Sequence, residues 1–312
     1  MVNPRTVLAT IARTILETPW GFFGRIRLLL FLRQCNRDLV LVKKVAEELE
    51  LPVLLGENSS LRPNGGQTLF ILGGGKSVND LTEADFATIE SGTSIGINYW
   101  PIHDFVPSIL SSESDHSADA DPYLNERLRT DQILSHPPLV LSLRTNWPVR
   151  EAALQHFPER LNRRRYIYGR ANVITRKERN LAVDLNRIVG ALMKGRIPEG
   201  ILPDNGSTVA RMTFWGVLQG FSRIVWVGVD QDSGPYFWTD PAAGKKYERA
   251  AKVVPRSTGI PHSTSSAENR PFSNDIFLPA LYRAIKNTTG VKVYVGSERS
   301  ALSSLIPVFD WP

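Results

Sequence analysis

The chain has 312 residues, of which 42% are hydrophobic, 22% charged and 9% aromatic. That length and composition exclude a small protein that depends on disulfides, and also a disordered or collagen-like chain. Cys35 is the only cysteine, which excludes an internal disulfide and a zinc site made of cysteines and favours a reducing compartment. The net charge of +6 predicts an anionic partner and leaves nucleic acid, a lipid surface and a phosphorylated substrate open.

The first 44 residues are strongly basic, with eight arginines and lysines against Glu17 and Asp38. Charged residues interrupt the apolar stretches before any of them reaches the roughly 20 residues that a membrane-spanning helix needs. No secretory signal is indicated, because Arg13 and Glu17 break the apolar stretch and no small-residue cleavage site follows. We therefore expect a cytoplasmic protein.

The same segment predicts a pair of amphipathic helices broken near Pro19 and Gly21. Apolar side chains beside arginines suit an anionic membrane interface, so residues 1–44 would hold the protein on the inner face of the cell membrane. The alternative is a helical hairpin that packs on the main domain and leaves its arginines solvated. Gly56–Gly66 has the composition of a linker, which divides the chain into an N-terminal helical segment, 1–65, and a main domain, 66–312.

Short apolar runs alternate with helical patterns after the linker. This alternation predicts an α/β fold, a Rossmann-like, doubly wound and mostly parallel sheet with the N-terminal helices as an appendage. The predicted strands are Thr68–Leu72, Thr93–Ile97, Pro107–Ser111, Leu139–Leu143, Tyr166–Tyr168, Ile224–Gly228 and Val291–Val295. The predicted helices are Leu81–Glu90, Asn125–Leu134, Arg150–His156, Lys177–Lys194, Thr208–Gln219 and Asn274–Lys286.

Ligands of such sheets bind beyond the carboxyl ends of the strands. The glycines that follow the first strand allow backbone amides to approach an anion, and the next helix would point its positive end at the same place. The turn therefore predicts a phosphate site, although it matches neither the dinucleotide fingerprint nor a P-loop, and a plain tight turn is the alternative. The residues that follow strands are Gly73, Gly74, Gly75, Lys76, Ser77, Asn98, Ser111, Ser112 and Asp230.

Three stretches of the chain resemble known families. They are the strand and turn from Phe70 to Val78, the strand end from Ile95 to Asn98, and the segment from Asn205 to Val209 with the later strand from Ile224 to Asp230. They resemble the metal-independent bacterial sialyltransferases of glycosyltransferase family 42. They resemble equally the motility-accessory-factor glycosyltransferases and their pterin pyrophosphokinase-like relatives. Pro261, His262 and Ser263, followed by a helix and a strand, are similar to the sialyltransferase layout.

The resemblance covers roughly residues 67–307 and implies a variant of the GT-A glycosyltransferase fold. It implies that the glycine turn and Ser77 hold the nucleotide phosphate and ribose, that Asn98 holds the ribose or the phosphate, and that Ser207 and Thr208 bind the sugar carboxylate. The chain departs from the family at three places: Gly74 and either Ser111 or Ser112 stand where asparagines are usual, and Asn205 stands where an arginine is usual. Ser111, Asn205 and Asp230 complete the predicted substrate-binding set.

Transfer from a nucleotide sugar needs a base for the acceptor hydroxyl and donors that neutralise the leaving phosphate. The resemblance implies that His262 is this base. The histidine lies in a loop rich in Gly, Pro and Ser, where a packed core histidine is not expected, and a surface histidine is the alternative. The resemblance also implies that tyrosine hydroxyls stabilise the leaving group, and the chain offers Tyr236 and Tyr247.

Asp230 and Asp232 have the Asp-x-Asp spacing with which another glycosyltransferase class holds a divalent metal. Asp119 and Asp121 have the same spacing without a preceding strand, so the pattern arises easily, and Asp230 has the alternative of binding loop amides. We expect no metal and no cofactor, because the CMP-sugar is a substrate. The arginine run at residues 163–165 lacks a nucleic-acid-binding module and predicts an edge or a lid, so no nucleic acid partner is expected.

The leading hypothesis is a membrane-peripheral glycosyltransferase of cell-surface polysaccharide biosynthesis. It would move a nonulosonic acid, a sugar of the sialic acid type, from its CMP donor to a glycan or lipid-linked acceptor. A second hypothesis keeps the fold and assigns pyrophosphate transfer from ATP with magnesium to a pterin. A third is a non-catalytic module that docks on membranes and retains a degenerate nucleotide pocket.

Overall fold

The structure is a computed structural model that describes residues 21–54, 61, 67–113, 127, 137–143, 165–232, 234–253 and 271–312. All neighbouring strands of its sheet are parallel, in the order β6-β5-β4-β3-β2-β1-β7-β8. The predicted Rossmann-like α/β fold with an N-terminal helix is therefore confirmed. The strands are β1 (Thr68–Leu72), β2 (Thr93–Ile97), β3 (Ile109–Glu113), β4 (Leu139–Leu143), β5 (Arg165–Asn172), β6 (Ile201–Asp204), β7 (Arg223–Val227) and β8 (Lys292–Val295).

Two of the helices begin with side-chain caps. Thr82 accepts a hydrogen bond from the amide of Asp85, and the Asp85 carboxylate accepts one from the amide of Thr82, which is a reciprocal capping box. Ser207 caps a later helix by accepting from the amide of Ala210. The helices are α1 (Gly21–Glu48), α2 (Glu83–Ser91), α3 (Glu178–Met193), α4 (Thr208–Leu218), α5 (Glu248–Val253) and α6 (Asn274–Thr288).

Two neighbouring residues of β5 establish that helices cover both faces of the sheet. Gly169 faces Val42 of α1, whereas the hydroxyl of Tyr168 accepts a hydrogen bond from Arg211 of α4 at 3.0 Å. Successive residues of a strand point to opposite faces, so α1 and α4 lie on opposite faces. The strands β1, β2 and β4 are accordingly buried along their whole lengths, as expected for a parallel sheet covered on both sides.

The order of the strands reverses beside β1. Strands β1 to β6 follow one another towards one edge of the sheet, and the chain then returns through α4, which passes over the sheet from β6 to β7. Strand β7 therefore lies on the other side of β1. The carboxyl ends of β1 and β7 flank a topological switch point, where open parallel sheets bind their ligands.

The predicted strands and helices agree with the described elements, with three differences in the strands. Strand β3 begins two residues later than predicted, after Pro107, which has no amide hydrogen for the ladder. Strand β5 is longer, and Arg165, predicted to belong to an edge or lid, is buried at the start of this interior strand. Strand β6 was not predicted, because it has four residues and contains Pro203, which an edge strand tolerates. The helices predicted at 125–134 and 150–156 lie outside the described residues, apart from residue 127.

Helix α1 packs on the main domain through one face. Phe31, Cys35 and Val42 on this inner face are at most 1% exposed. Residues 21–48 therefore pack on the main domain, but as one continuous helix rather than a hairpin, and with Arg27 buried rather than solvated. Contact of this segment with a membrane stays a prediction. The predicted break near Pro19 lies outside the described residues, and the division of the chain at residue 65 stays a prediction. No helix among the described residues has the length and apolar character needed to cross a bilayer.

A buried ion pair joins α1 to α3. The guanidinium of Arg27 donates two hydrogen bonds to the carboxylate of Asp184, at 2.7 and 3.0 Å, and the two side chains are 2% and 7% exposed. Arg187 lies 3.6 Å from the same carboxylate. A bidentate pair of this kind fixes the position and the direction of both helices.

Aromatic rings surround a buried histidine beyond the end of β2. The ring of His103 lies 4.8 Å from that of Trp100 and 5.4 Å from that of Phe237, and its Nδ1 accepts the amide hydrogen of Phe105 at 2.9 Å. Burial, together with the nearby positive charge of Lys246, lowers the pKa of His103 to about 4. His103 is therefore neutral in the folded protein near neutral pH.

We predict that Asp184→Leu destabilises the protein by about 3–5 kcal/mol, because it removes the carboxylate that neutralises the buried Arg27. Urea unfolding measures the effect. The double variant Arg27→Met/Asp184→Leu should recover most of the stability, and a double variant no more stable than the single one would contradict this account. Glu248→Gln, which breaks the exposed pair with Lys252, is the control and should leave the stability nearly unchanged.

We predict that His103 makes the stability fall as the pH decreases from about 6.5 to about 4. In this window the unfolded chain binds a proton at His103 that the folded protein does not bind. Above the window the histidine is neutral in both states, and below it the histidine is charged in both. His103→Asn keeps an acceptor for the amide of Phe105 and should flatten this part of a stability profile measured by urea unfolding. An unchanged slope in the variant would count against the assignment.

Candidate functional site

The glycine turn after β1 packs directly against the loop after β7. The amide of Gly73 donates to the carbonyl of Val227 at 2.7 Å, and the amide of Gly75 donates to the carbonyl of Gly228 at 2.8 Å. A Cβ atom on Gly73 would lie 2.6 Å from the carbonyl oxygen of Gly228, so the approach requires glycine. The predicted phosphate turn thus lies at the switch point, with two of its three glycine amides bonded to the β7 loop.

Ser77 and Asp230 connect the two loops through side chains. The Ser77 hydroxyl donates to Oδ1 of Asp230 at 2.5 Å, and the Ser77 amide donates to Oδ2 at 2.9 Å. Both residues are buried, with 3% and 4% exposure. Burial raises the pKa of Asp230, and the hydrogen bonds from Ser77 partly oppose that rise. The pair holds the turn in place, so the alternative role predicted for Asp230, binding loop groups, is the one observed.

Lys76 and Asp232 form a second connection on the solvent side of the first. Nζ of Lys76 lies 2.9 Å from Oδ2 of Asp232, and both side chains are about one-third exposed. The other oxygen of Asp232 accepts the amide hydrogen of Gly234 at 3.0 Å. This ion pair raises the pKa of Lys76. The turn therefore carries a partly exposed ammonium group at the position where an anion would approach.

Two aromatic rings cover the outer side of the turn. Tyr236 pairs with Gly75 as an isolated β-bridge, and the amide of Phe237 donates to the carbonyl of Gly74 at 3.0 Å. The ring of Tyr236 stacks on that of Trp238, with centroids 4.2 Å apart and planes at 17°. A Cβ atom at Gly74 would lie 3.0 Å from Trp238. The absence of a side chain at Gly74 therefore makes room for this aromatic pair.

Asn98 follows the end of β2, and beside it lies Ser111, which was predicted to end its strand but lies in the middle of β3. Asn98 has a φ of +52°, a left-handed conformation that asparagine tolerates better than most residues. Its amide donates to the carbonyl of Ser111 at 2.8 Å. Ser111 is 1% exposed, and its hydroxyl has no hydrogen-bond partner among the described residues.

A second group of predicted residues follows β6, which four strands separate from β1. Oδ1 of Asp204 accepts hydrogen bonds from Arg211 at 2.6 Å and from the amides of Gly206 and Ser207 at 2.8 and 3.2 Å. Arg211 also donates to the hydroxyl of Thr208 at 2.7 Å. The start of α4 is therefore fixed by a fully buried arginine. Ser207 and Thr208 lie on the same edge of the sheet as the glycine turn, at its other end.

The starts of α4 and α6 meet at Asn205. Its side-chain amide donates to the carbonyl of Phe272 at 2.7 Å. Asn205 and Asn274 are each 2% exposed, and the side-chain oxygen of each has no partner among the described residues. Two buried amide oxygens thus lie at neighbouring helix starts.

The three predicted catalytic residues fall in different places. Tyr236 is one of the two stacked rings that cover the glycine turn. Tyr247 is buried beside His103 and Phe237, and burial raises its pKa. His262 lies outside the described residues. The catalytic and binding roles of all predicted site residues stay predictions.

The sequence did not predict the pairing of Lys76 with Asp232 or any role for Arg211 and Asn274. Lys76 and Asp232 become partners only because β7 lies next to β1, a neighbourhood that the order of the chain does not reveal. Arg211 lies seven residues after Asp204, which is two helical turns, but its burial depends on Tyr168 of β5. Asn274 follows Ser273 at a helix start, a pattern that predicts a cap rather than a site.

The described residues offer no group of three or more acidic, histidine or cysteine side chains that could hold a metal ion. Both oxygens of Asp230 accept hydrogen bonds from Ser77. Asp232 is bonded to Lys76 and Gly234. The Asp-x-Asp pair is thus bonded to protein donors, an arrangement that does not fit a ready metal site.

No protein-family model matches the chain, and no curated protein matches it significantly. Among solved structures, the chain is similar to the sialyltransferase CST-II in complex with a trisaccharide acceptor and CMP. The TM-score is 0.45 and the sequence identity 15%, and the match covers 78% of this chain and 86% of that chain. A variant of the same enzyme in complex with CMP gives a TM-score of 0.46 and 14% identity, over 78% and 87% of the two chains.

The chain is also similar to the MAf glycosyltransferase from Magnetospirillum magneticum AMB-1, with a TM-score of 0.44 and 16% identity over 78% of this chain and 33% of that chain. TM-scores below 0.5 at such identities carry no conclusion about activity. Both groups that the sequence motifs resemble are nevertheless represented among the similar structures.

Proposed function

We propose that this chain is a glycosyltransferase that moves a nonulosonic acid from a CMP donor to a glycan or lipid-linked acceptor without a metal ion. The observation that carries the proposal is the position of the glycine turn. The turn follows the interior strand β1, which pairs with β7 at the switch point of a parallel sheet. That is where a nucleotide binds in folds of this type. The sequence of the turn resembles the donor-binding turn of the sialyltransferases.

The donor phosphate would lie beside Lys76, since the rings of Tyr236 and Trp238 take up the space at Gly74. The amides of Gly73 and Gly75 are bonded to the β7 loop, so the ammonium of Lys76 is the group of the turn best suited to hold an anion. Asp232 would release Lys76 when a phosphate, with its stronger charge, takes the place of the carboxylate. The ring of Tyr236 above the turn would then contribute its hydroxyl to the leaving phosphate.

Ser207 and Thr208 follow β6, which is five strands from β1 and therefore about 24 Å from the glycine turn. A donor sugar whose phosphate lies at the turn does not reach that far, so the start of α4, whose amides carry the positive end of the helix dipole, would bind an anionic group of the acceptor. Asn205 stands where the resemblance implies an arginine, so that group would be held by hydrogen bonds rather than by a full positive charge. The segment that contains His262 precedes Phe272, which contacts Asn205, and His262 would remove the proton of the acceptor hydroxyl.

The protein would work at the inner face of the cell membrane, where residues 1–44 would contact anionic lipids. No step of the proposal involves a nucleic acid. The placement supports a lipid-linked acceptor over a free one, since the acceptor would then be held near the site. The pathway would be the synthesis of a cell-surface polysaccharide.

We predict that CMP stabilises the protein against heat without magnesium, and more strongly than UDP, GDP or ATP. A ligand present at a hundred times its dissociation constant adds about 2.7 kcal/mol to the folded state, so differential scanning fluorimetry resolves the comparison. Lys76→Met should weaken CMP binding about tenfold, because it removes a charged hydrogen bond to the phosphate. Asp232→Asn should strengthen binding, because it frees Lys76.

Lys252→Met, which removes an exposed lysine paired with Glu248, is the matched control and should bind CMP as the unaltered protein does. Stabilisation by ATP only in the presence of magnesium would support pyrophosphate transfer instead. Stabilisation by none of the nucleotides would support a degenerate pocket.

We predict that His262→Ala lowers the rate of sugar transfer by at least about a hundredfold, the usual contribution of a general base, while CMP binding stays unchanged. Transfer is measured with a CMP-nonulosonic acid and an oligosaccharide acceptor, and binding by the same thermal shift. Retained transfer would remove His262 from the mechanism. His103→Asn is the comparison variant. It should retain sugar transfer, because His103 is buried and neutral and is not the proposed base.

A further inference from the structure

Helix α1 has an outer face that the rest of the described protein does not cover. Leu29 and Val40 are 65% and 67% exposed, and Leu30 and Leu41 are 41% exposed each. These four are more than half of the exposed large apolar side chains in the described ranges, and the others, Val183, Met193 and Leu305, are scattered on other elements. Apolar side chains that cluster in this way mark an interaction surface.

The same face is positively charged. Asp38 is the only acidic residue between positions 23 and 46, and it is completely buried. The face therefore shows cations and apolar groups without an exposed carboxylate until Glu47. Its cations are Arg25, Arg33, Arg37, Lys43 and Lys44, all of them exposed. Arg37 also pairs with Asp38 at 3.4 Å and Lys44 with Glu48 at 3.9 Å, which leaves Arg25, Arg33 and Lys43 as the main source of positive charge.

Apolar and basic side chains lie together along one stripe of the helix. Arg25, Leu29, Arg33 and Arg37 follow one another at spacings of four residues, which places them on one side. At a rise of 1.5 Å per residue the stripe from Arg25 to Lys44 is roughly 30 Å long. Leucine and valine side chains can enter the acyl region of a bilayer while the long arginine side chains reach the headgroups.

We propose that the outer face of α1 binds the surface of a membrane of anionic phospholipids, while its inner face stays packed on the sheet. Charge decides the occupant, because the exposed face is purely cationic over most of its length and anionic headgroups attract it. A second copy of the chain would bring arginines against arginines in the middle of the face. The inference rests on the membrane-peripheral placement within the proposed function and defines the surface responsible.

The direction of α1 relates this surface to the candidate site. Gly24 and Arg27, near its beginning, line a small cavity together with Val173 and Thr175, which follow the carboxyl end of β5. The beginning of α1 therefore lies at the edge of the sheet that carries the glycine turn. A membrane bound along α1 would run close to this edge, so a lipid-linked acceptor could reach the site without leaving the bilayer.

We predict that the full chain, without nucleotide, binds vesicles of phosphatidylcholine with phosphatidylglycerol at low salt and does not bind vesicles of phosphatidylcholine alone. Arg25→Gln/Arg33→Gln, which leaves the pair of Arg37 with the buried Asp38 intact, should lower the partition onto anionic vesicles by roughly thirtyfold, since each basic residue contributes about 1 kcal/mol. Leu29→Gln/Val40→Gln should lower it by about tenfold or more, because insertion of the apolar groups is lost. Co-sedimentation over a vesicle titration measures both effects.

Matched controls alter equal numbers of exposed residues elsewhere. Arg223→Gln/Lys292→Gln removes two exposed cations at the start of β7 and β8, and Val183→Gln/Leu305→Gln removes two exposed apolar side chains. Both double variants should bind like the unaltered chain. Equal binding by the α1 variants and the unaltered chain would overturn the proposal. Failure of the unaltered chain to bind anionic vesicles would also overturn the proposal. In that case, a dimer that light scattering detects and the α1 variants dissociate would identify a second copy of the chain as the partner of this face. CMP binding is measured separately, so a failure of membrane binding is distinguished from a failure of the proposed transferase function.

Discussion

A sheet whose strands all run in parallel must be covered on both faces, and this requirement organises the molecule. Each connection between parallel strands has to return the chain to the starting edge, so all carboxyl ends meet at one edge. Helix α4 covers one face while it carries the chain back from β6 to β7. Helix α1 covers the opposite face at β5. The N-terminal helix is thus a structural part of the sheet's cover as well as a candidate binding surface.

The return of the chain also creates the site. Because β7 pairs with β1, two loops that are far apart in sequence meet and satisfy one another through backbone and side-chain hydrogen bonds. The buried pair of Ser77 and Asp230 fixes the inner part of this contact, and the exposed pair of Lys76 and Asp232 leaves its outer part adjustable. A rigid turn with one exchangeable ion pair is well suited to bind and release an anion.

The sequence predicts much of the fold because local patterns determine it. The apolar run from Leu69 to Leu72 followed by glycines identifies β1, since buried parallel strands need apolar residues on both faces. Strand β2 has a shorter apolar pattern, Ile95 and Ile97, followed by Asn98. The sequence does not predict β6, which is short and contains Pro203. Gly73 to Ser77 and Asp230 were found because they follow strands. The pairing of Lys76 with Asp232 was not, because pairing between loops depends on strand order, which no local pattern encodes.

The burial of Cys35 has a practical consequence. The thiol is completely buried under α1, and its pKa of about 12, raised mainly by burial, keeps it protonated near neutral pH. A thiol reagent can reach it only when α1 separates from the sheet, so the rate of modification measures that local opening. As the only cysteine of the chain, it gives the protein a native probe of how firmly its N-terminal helix stays docked, on or off a lipid bilayer.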